Sequence, residues 1–446
     1  MGVKKQLERF KQLDLYHKSI FIFVFVMLVS LVIWVIHQTI RVAAFDQSFF
    51  SNSIFGSYDW DYYMDYFNVN SWFYNDGNPY TSAAMSSYPP LALAIAKFFA
   101  MFGSYEGGSL AARTVTAAMV SYYVMFIVFT CLSGLALISY GKRHGISVKT
   151  TGLMLLAFVF SAPYIYLFGR GNYLVIAITA IAWFFAWYDS DKKWQRELAI
   201  VFLAIAAGIK IYPALLAAIF LKKRRFLDFA KAVVYTLALF FLPFLFFNGG
   251  FSNISVFLHN LLDFQGKGQV STHNYSMPTF FYYFAQLGKG FRLGYVPSWV
   301  VSVGNAVSYV VLFVGLLFSL FSDKTWKSFA LVTLAIILFP APSYVYSACM
   351  LLPVVAMFLL TKEKTKKDFV YLTLFLLMLL PSQFGYFVPN NYVEYSWNIG
   401  ITVNNFIQHL SMMTMLVMLV YDSSKNGIGI WKKWKQKRTL AKKEAV

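Results

Sequence analysis

Ser19–Ile40 reads SIFIFVFVMLVSLVIWVIHQTI, an apolar run without a single Asp, Glu, Lys or Arg. At about 1.5 Å of rise per residue, a helix of this length crosses roughly 30 Å of hydrocarbon. The run is too long for the apolar region of a cleavable signal peptide, and no small-residue cleavage site follows it, so it is expected to persist as a span. Similar runs recur along the chain. Of 446 residues, 59% are hydrophobic, 20% aromatic and only 13% charged. A soluble domain could not hide that much apolar surface. The predicted fold class is therefore an all-α polytopic membrane protein. Cys131 and Cys349 both fall in apolar runs and read as buried small hydrophobes, leaving no disulfide or metal framework.

Working outward from the first run predicts about twelve spans, near residues 19–40, 112–139, 150–168, 172–188, 197–209, 211–221, 228–247, 297–321, 327–341, 345–361, 368–384 and 400–421. The fifth and sixth are short, with Gly208 to Pro213 as a bend between them. The net charge of +19 suggests nucleic acid until the charges are placed. With the N-terminus inside, most Lys and Arg fall on one side: Lys142-Arg143, Lys192-Lys193, Lys222 to Arg225, Lys362 to Lys367 and Lys432 to Lys443. Such a bias predicts both termini in the cytoplasm of a multi-pass cell-membrane protein. The basic surplus then reports orientation and contact with anionic lipid, and no nucleic-acid partner is expected. Residues 1–421 read as one transmembrane domain and 422–446 as a basic cytoplasmic tail.

The long loops, about 41–111, 248–296 and 385–399, lie outside in this topology. The first concentrates acids and aromatics: Asp59-Trp60-Asp61-Tyr62-Tyr63-Met64-Asp65, then Gly77-Asn78-Pro79-Tyr80, then Tyr88-Pro89-Pro90-Leu91. Two amphipathic pieces, roughly 64–76 and 89–103, predict helices along the membrane surface, and a third is expected near 253–264. Ionisable groups at membrane depth are costly and usually face a protein-lined or watery cavity. Lys210, inside an apolar hairpin, and Arg170, at the turn between the third and fourth spans, converge on the outer half. Two cations facing a carboxylate-rich loop suggest a site for an anionic lipid headgroup, with phosphate the natural match. Plainer readings stand beside these. Arg113 can snorkel to the interface, Arg170 can be an ordinary helix-end residue, and His273 can be an exposed loop residue. The Tyr and Trp cluster can be an interfacial aromatic belt.

Asp65, followed twelve residues later by Gly77-Asn78-Pro79-Tyr80 and then by Tyr88-Pro89-Pro90-Leu91, resembles the first outer loop of glycosyltransferase family 87. Gly171-Asn172, Lys210-Ile211-Tyr212-Pro213, His273-Asn274-Tyr275-Ser276 and the Pro342 to Pro353 segment with Tyr344 and Tyr346 are similar to later elements of that family, in the same order. The resemblance implies a GT-C fold with juxtamembrane helices in the first outer loop. It implies a polyprenyl-phosphate sugar donor, mannose foremost, and a glycan or glycolipid acceptor of the cell envelope. An Asp at the start of that loop would act as general base; Asp65 matches by spacing, with Asp61 a rival and Asp46 a weaker one. Lys210 and Arg170, with His273 and Arg113, would hold the departing phosphate. Trp60, Tyr63, Trp72 and Tyr88 offer faces for sugar stacking, with Asn172 and Asn274 as polar contacts. No cofactor or metal is expected. Two alternatives from other classes are a flippase of lipid-linked saccharide, which needs no acid-rich loop and often shows an internal repeat, and an outer-face glycan polymerase or acyltransferase.

Overall fold

The computed structural model describes residues 10–45, 62–75, 77–82, 84–266, 270, 274–289, 295–339, 342–381, 386–388 and 401–444. Asp46, Asp59, Trp60, Asp61 and His273 lie outside these residues. The apolar run at Ser19–Ile40 is one helix, α1 (Leu15–Phe45). Short helices follow: α2 (Met64–Asn75), α3 (Pro90–Ala100) and α4 (Gly108–Ala112). The next group is α5 (Thr116–Arg143), α6 (Val148–Val159), α7 (Ala162–Arg170), α8 (Leu174–Trp187) and α9 (Lys193–Ile209). A 3-10 turn at Tyr212–Ala217 leads into α10 (Ala218–Lys222), then α11 (Phe226–Phe241) with a 3-10 extension, α12 (Asn253–Gly266), α13 (Met277–Gly288) and α14 (Ser298–Ser319). The chain closes with α15 (Thr325–Leu338), a 3-10 turn at Val345–Met350, α16 (Leu351–Leu360), α17 (Asp368–Leu379) and α18 (Val403–Glu444). Between the last two, Tyr386–Val388 and Ile401–Thr402 pair antiparallel.

Among the described residues, five helices are long and apolar enough to cross a membrane: Leu15–Ile40, Thr116–Arg143, Phe226–Phe246, Ser298–Ser319 and Val403–Gly429. A sixth span arises if α6 and α7, bent by 60° at their junction, count together. The remaining apolar segments are helices of 10–17 residues. The protein is thus a multi-pass membrane protein, in which five or six of the roughly twelve predicted spans have full crossing length and the others are shorter or broken apolar helices. One reason is local. The run at 150–168 is not continuous, because Pro163 lacks the backbone N–H that a helix needs beyond its first turn, and a new helix starts after Ser161. The other reason is packing. Every residue of α15 from Trp326 to Leu338 is buried, and α8 is almost as enclosed between α5 and α9. A helix that is apolar all round belongs inside a bundle, where it need not match the lipid thickness. Hydropathy alone cannot tell that case from a lipid-facing span.

The helices expected in the first loop form as α2 and α3. Pro89 sits in extended backbone before α3 and Pro90 takes its first position, where the missing N–H costs nothing. The helix expected near 253–264 is α12. The cysteine reading needs one correction. Cys349 is buried but Cys131, on α5, is exposed, so its apolar sequence context did not mark burial inside the protein.

Candidate active site

The site begins where α7 ends. Gly171 closes that helix in the left-handed region, φ +68°, which glycine adopts without strain. A Cβ placed there would lie 2.9 Å from the Tyr63 carbonyl oxygen and 3.1 Å from the Tyr66 Cβ. The C-terminus of α7 therefore abuts the start of α2. The Tyr63 N–H donates to the Gly169 carbonyl at 2.7 Å, and Tyr63 itself turns the chain with a positive φ of 63°. This turn delivers Asp65 into the first turn of α2, where a carboxylate also meets the positive end of the helix dipole.

Both carboxylate oxygens of Asp65 are engaged. Arg170 Nη2 donates to Oδ1 at 2.5 Å, and Asn172 Nδ2 donates to Oδ2 at 2.7 Å. Asp65 and Arg170 keep 14% and 19% of their side-chain surface exposed, so the pair is largely shielded and still reachable. Asn172 is fully buried. Its carbonyl oxygen accepts the Leu174 N–H at 2.9 Å, and its amide nitrogen also donates to the Tyr88 hydroxyl at 3.2 Å. Burial pushes the Tyr88 phenol above its ordinary range, and the Asp65 charge adds to that, so the ring stays neutral.

Lys210 reaches the same place from α9. Its backbone is extended just past that helix. Gly208 lets the end of α9 close on α3, since a Cβ there would sit 2.7 Å from Leu91 Cδ2. Leu91 is three residues past Tyr88, and the Lys210 ammonium lies 4.5 Å from the centroid of the Tyr88 ring. The Asp65 charge acts on Lys210 and on Tyr346. Tyr346 is stacked on Tyr166 at 5.9 Å and packs beside Tyr344.

Asp65, Arg170, Asn172, Tyr88 and Lys210 are thus brought together. The other candidates have these contacts. Arg113 Nη1 donates to the Tyr62 carbonyl at 3.2 Å, at the turn that precedes α2. The Tyr63 ring packs against Tyr122 at 4.6 Å and Phe168 at 5.7 Å. Trp72 meets the edge of Tyr88 at 6.3 Å. Asn274 is fully buried, and its carbonyl oxygen accepts the Ser276 and Ser343 N–H groups, both at 2.9 Å, clamping the 274–276 loop to the segment before Tyr344. Sequence reasoning quoted Tyr346 but assigned it no place at the site; its position follows from this clamp, a contact far apart in sequence. Gly171 was legible only as a motif member and Gly208 only as the start of a bend, not as the close approaches they permit. Among the described residues, no group of three or more His, Cys, Asp or Glu could hold a metal ion.

The sequence model of glycosyltransferase family 87 matches residues 87–353, which includes Tyr88, Arg170, Asn172 and Lys210 and starts after Asp65. None of the curated proteins matches the chain.

Proposed function

The chain belongs to glycosyltransferase family 87 and is a membrane glycosyltransferase, and from that premise we propose that it moves a hexose, mannose foremost, from a polyprenyl-phosphate donor to a cell-envelope glycan or glycolipid on the outer face of a GT-C fold. The observation that carries this reading is a carboxylate and an amine gathered about one tyrosine. Asp65 is held by Arg170 and Asn172, while Lys210 presents its ammonium over the Tyr88 ring. The reaction needs these two parts. An acceptor hydroxyl attacks the anomeric carbon and gives its proton to Asp65 as general base. The anomeric carbon–oxygen bond to phosphate breaks, its electron pair leaves with the phosphate, and Lys210 stabilises the charge that builds there. Attack opposite the leaving group inverts the anomeric configuration. A lipid donor is further supported by an apolar cavity lined by Tyr164, Phe158, Leu155, Ile178, Leu352 and Met357. Tyr164 lies six residues before Arg170 on α7, about 9 Å along the helix, so a prenyl chain could run inward from a phosphate at the site.

The test is release of polyprenyl phosphate by the purified protein in lipid, given polyprenyl-phosphate mannose or glucose and membrane-derived acceptor. Wild type is expected to release it and Asp65→Asn to lose that turnover while still binding donor. Turnover kept by Asp65→Asn and lost by Asp61→Asn would move the base to Asp61. Donor that crosses the bilayer with its sugar bond intact would replace the transferase reaction with transport.

A further inference from the structure

We propose that Tyr88 is a positioning residue: its ring seats Lys210 while its hydroxyl, through Asn172, holds Asp65, so one side chain sets the spacing between the two halves of the site. This rests on the donor reading above and assigns Tyr88 a role other than a sugar-stacking surface. One ring face carries the Lys210 ammonium at 4.5 Å, and the Trp72 ring meets its edge at 6.3 Å. The hydroxyl accepts one N–H of Asn172, whose other N–H goes to Asp65. The hydroxyl remains protonated because burial and the Asp65 charge both oppose its ionisation. Tyr88 is itself fixed from three directions. Its N–H donates to Ser86 Oγ at 3.2 Å, its carbonyl accepts the Tyr80 hydroxyl at 3.2 Å, and Pro89-Pro90 anchors it to the start of α3. Asn172 is fully buried and Tyr80 is 1% exposed, so this support has little room to move. A cation held by a ring face and a carboxylate held through an amide share no direct bond here. The tyrosine makes their separation a property of the fold.

The experiment uses Tyr88→Phe and Tyr88→Leu in the full chain in lipid nanodiscs, with Tyr88→Met replacing the leucine variant if that one fails to unfold cooperatively. The first measurement needs no substrate. Acetylation of Lys210 is followed by mass spectrometry between pH 7 and 10, as a probe of its seat. Tyr88→Phe is expected to label like wild type and Tyr88→Leu to change the rate at least threefold; an unchanged rate in Tyr88→Leu overturns the seating. The second measurement is steady-state release of polyprenyl phosphate. Tyr88→Phe should lower kcat about tenfold at nearly unchanged donor KM, the mark of a misplaced base. Tyr88→Leu should in addition raise donor KM roughly fivefold to thirtyfold, the range of a lost cation–ring contact. Wild-type kcat in Tyr88→Phe, or a rise confined to acceptor KM in both variants, would overturn the proposal in favour of a sugar platform. If the wild type releases nothing, the donor reading fails by itself, and the labelling result still decides whether Tyr88 seats Lys210.

Discussion

Lys210 stands between Ile209 and Ile211, with its ammonium over a ring and near a carboxylate that Arg170 already binds. In the proposed reaction Arg170, paired with Asp65, orients that carboxylate and Lys210 takes the phosphate, which divides the labour that sequence alone assigned to both. Lys210→Ala should lower kcat/KM for the lipid donor by about a hundredfold or more, the scale of removing one group that stabilises developing charge. Lys210→Arg should recover part of this, because the charge returns on a different geometry. Steady-state kinetics with donor varied at saturating acceptor measures both. An unchanged kcat/KM in Lys210→Ala would make that lysine a structural residue and leave the phosphate to another cation.

At the scale of elements, the site depends on one close approach, the C-terminus of α7 against the first turn of α2. Gly171→Ala puts a Cβ 2.9 Å from the Tyr63 carbonyl oxygen in a backbone region that disfavours side chains. Gly145 is the control, with a similar φ of +70° and nothing within 4 Å of an added Cβ. Gly145→Ala should cost only the conformational strain, about 1 kcal/mol, and leave turnover intact. Gly171→Ala should cost roughly 2–3 kcal/mol and reduce turnover strongly, since Arg170 and Asn172 flank it and both hold Asp65. Thermal unfolding in detergent and turnover of the folded fraction separate the two. Equal losses in both variants would mean that the approach of α7 to α2 carries no special weight. These two elements also mark how far the sequence could be read. The first span, the short helices α2 and α3, and the convergence of Arg170 and Lys210 on the carboxylate-bearing loop were legible, because charge in an apolar chain is sparse and each instance stands out. The break at Ser161 was not, although Pro163 was in view, because hydropathy averages over a kink. Tyr346 was not, because its position depends on Asn274 pairing with Ser343 and Tyr344, a contact that no local pattern encodes.

At the scale of the whole molecule, the end of the bundle away from Asp65 is tied by charge. Asp422 on α18 accepts from Lys327 of α15 at 2.9 Å, from the Tyr371 hydroxyl of α17 at 2.7 Å, and from Lys367 just before α17. Lys327 also pairs with Asp323, and Lys324 with Asp368. Lys327 lies in the first turn of α15, whereas the segment that reaches Tyr344 and Tyr346 follows its end. About 17 Å of helix therefore separates this cluster from the candidate active site. Lys327 and Asp422 are only 9% and 11% exposed, so removing the carboxylate leaves a shielded ammonium with part of its compensation gone. Asp422→Ala should destabilise the protein by about 3 kcal/mol, the scale of a broken buried pair, and Asp422→Asn by less because it still accepts hydrogen bonds. Turnover per folded molecule should be unchanged, since the variant acts at the other end of α15. Thermal unfolding of the nanodisc-embedded protein, read beside turnover of the surviving folded fraction, decides it. A wild-type transition in Asp422→Ala would show that helix packing alone holds α15, α17 and α18 together. A loss of turnover in fully folded Asp422→Ala would instead reveal coupling along α15 between the charged end and the site.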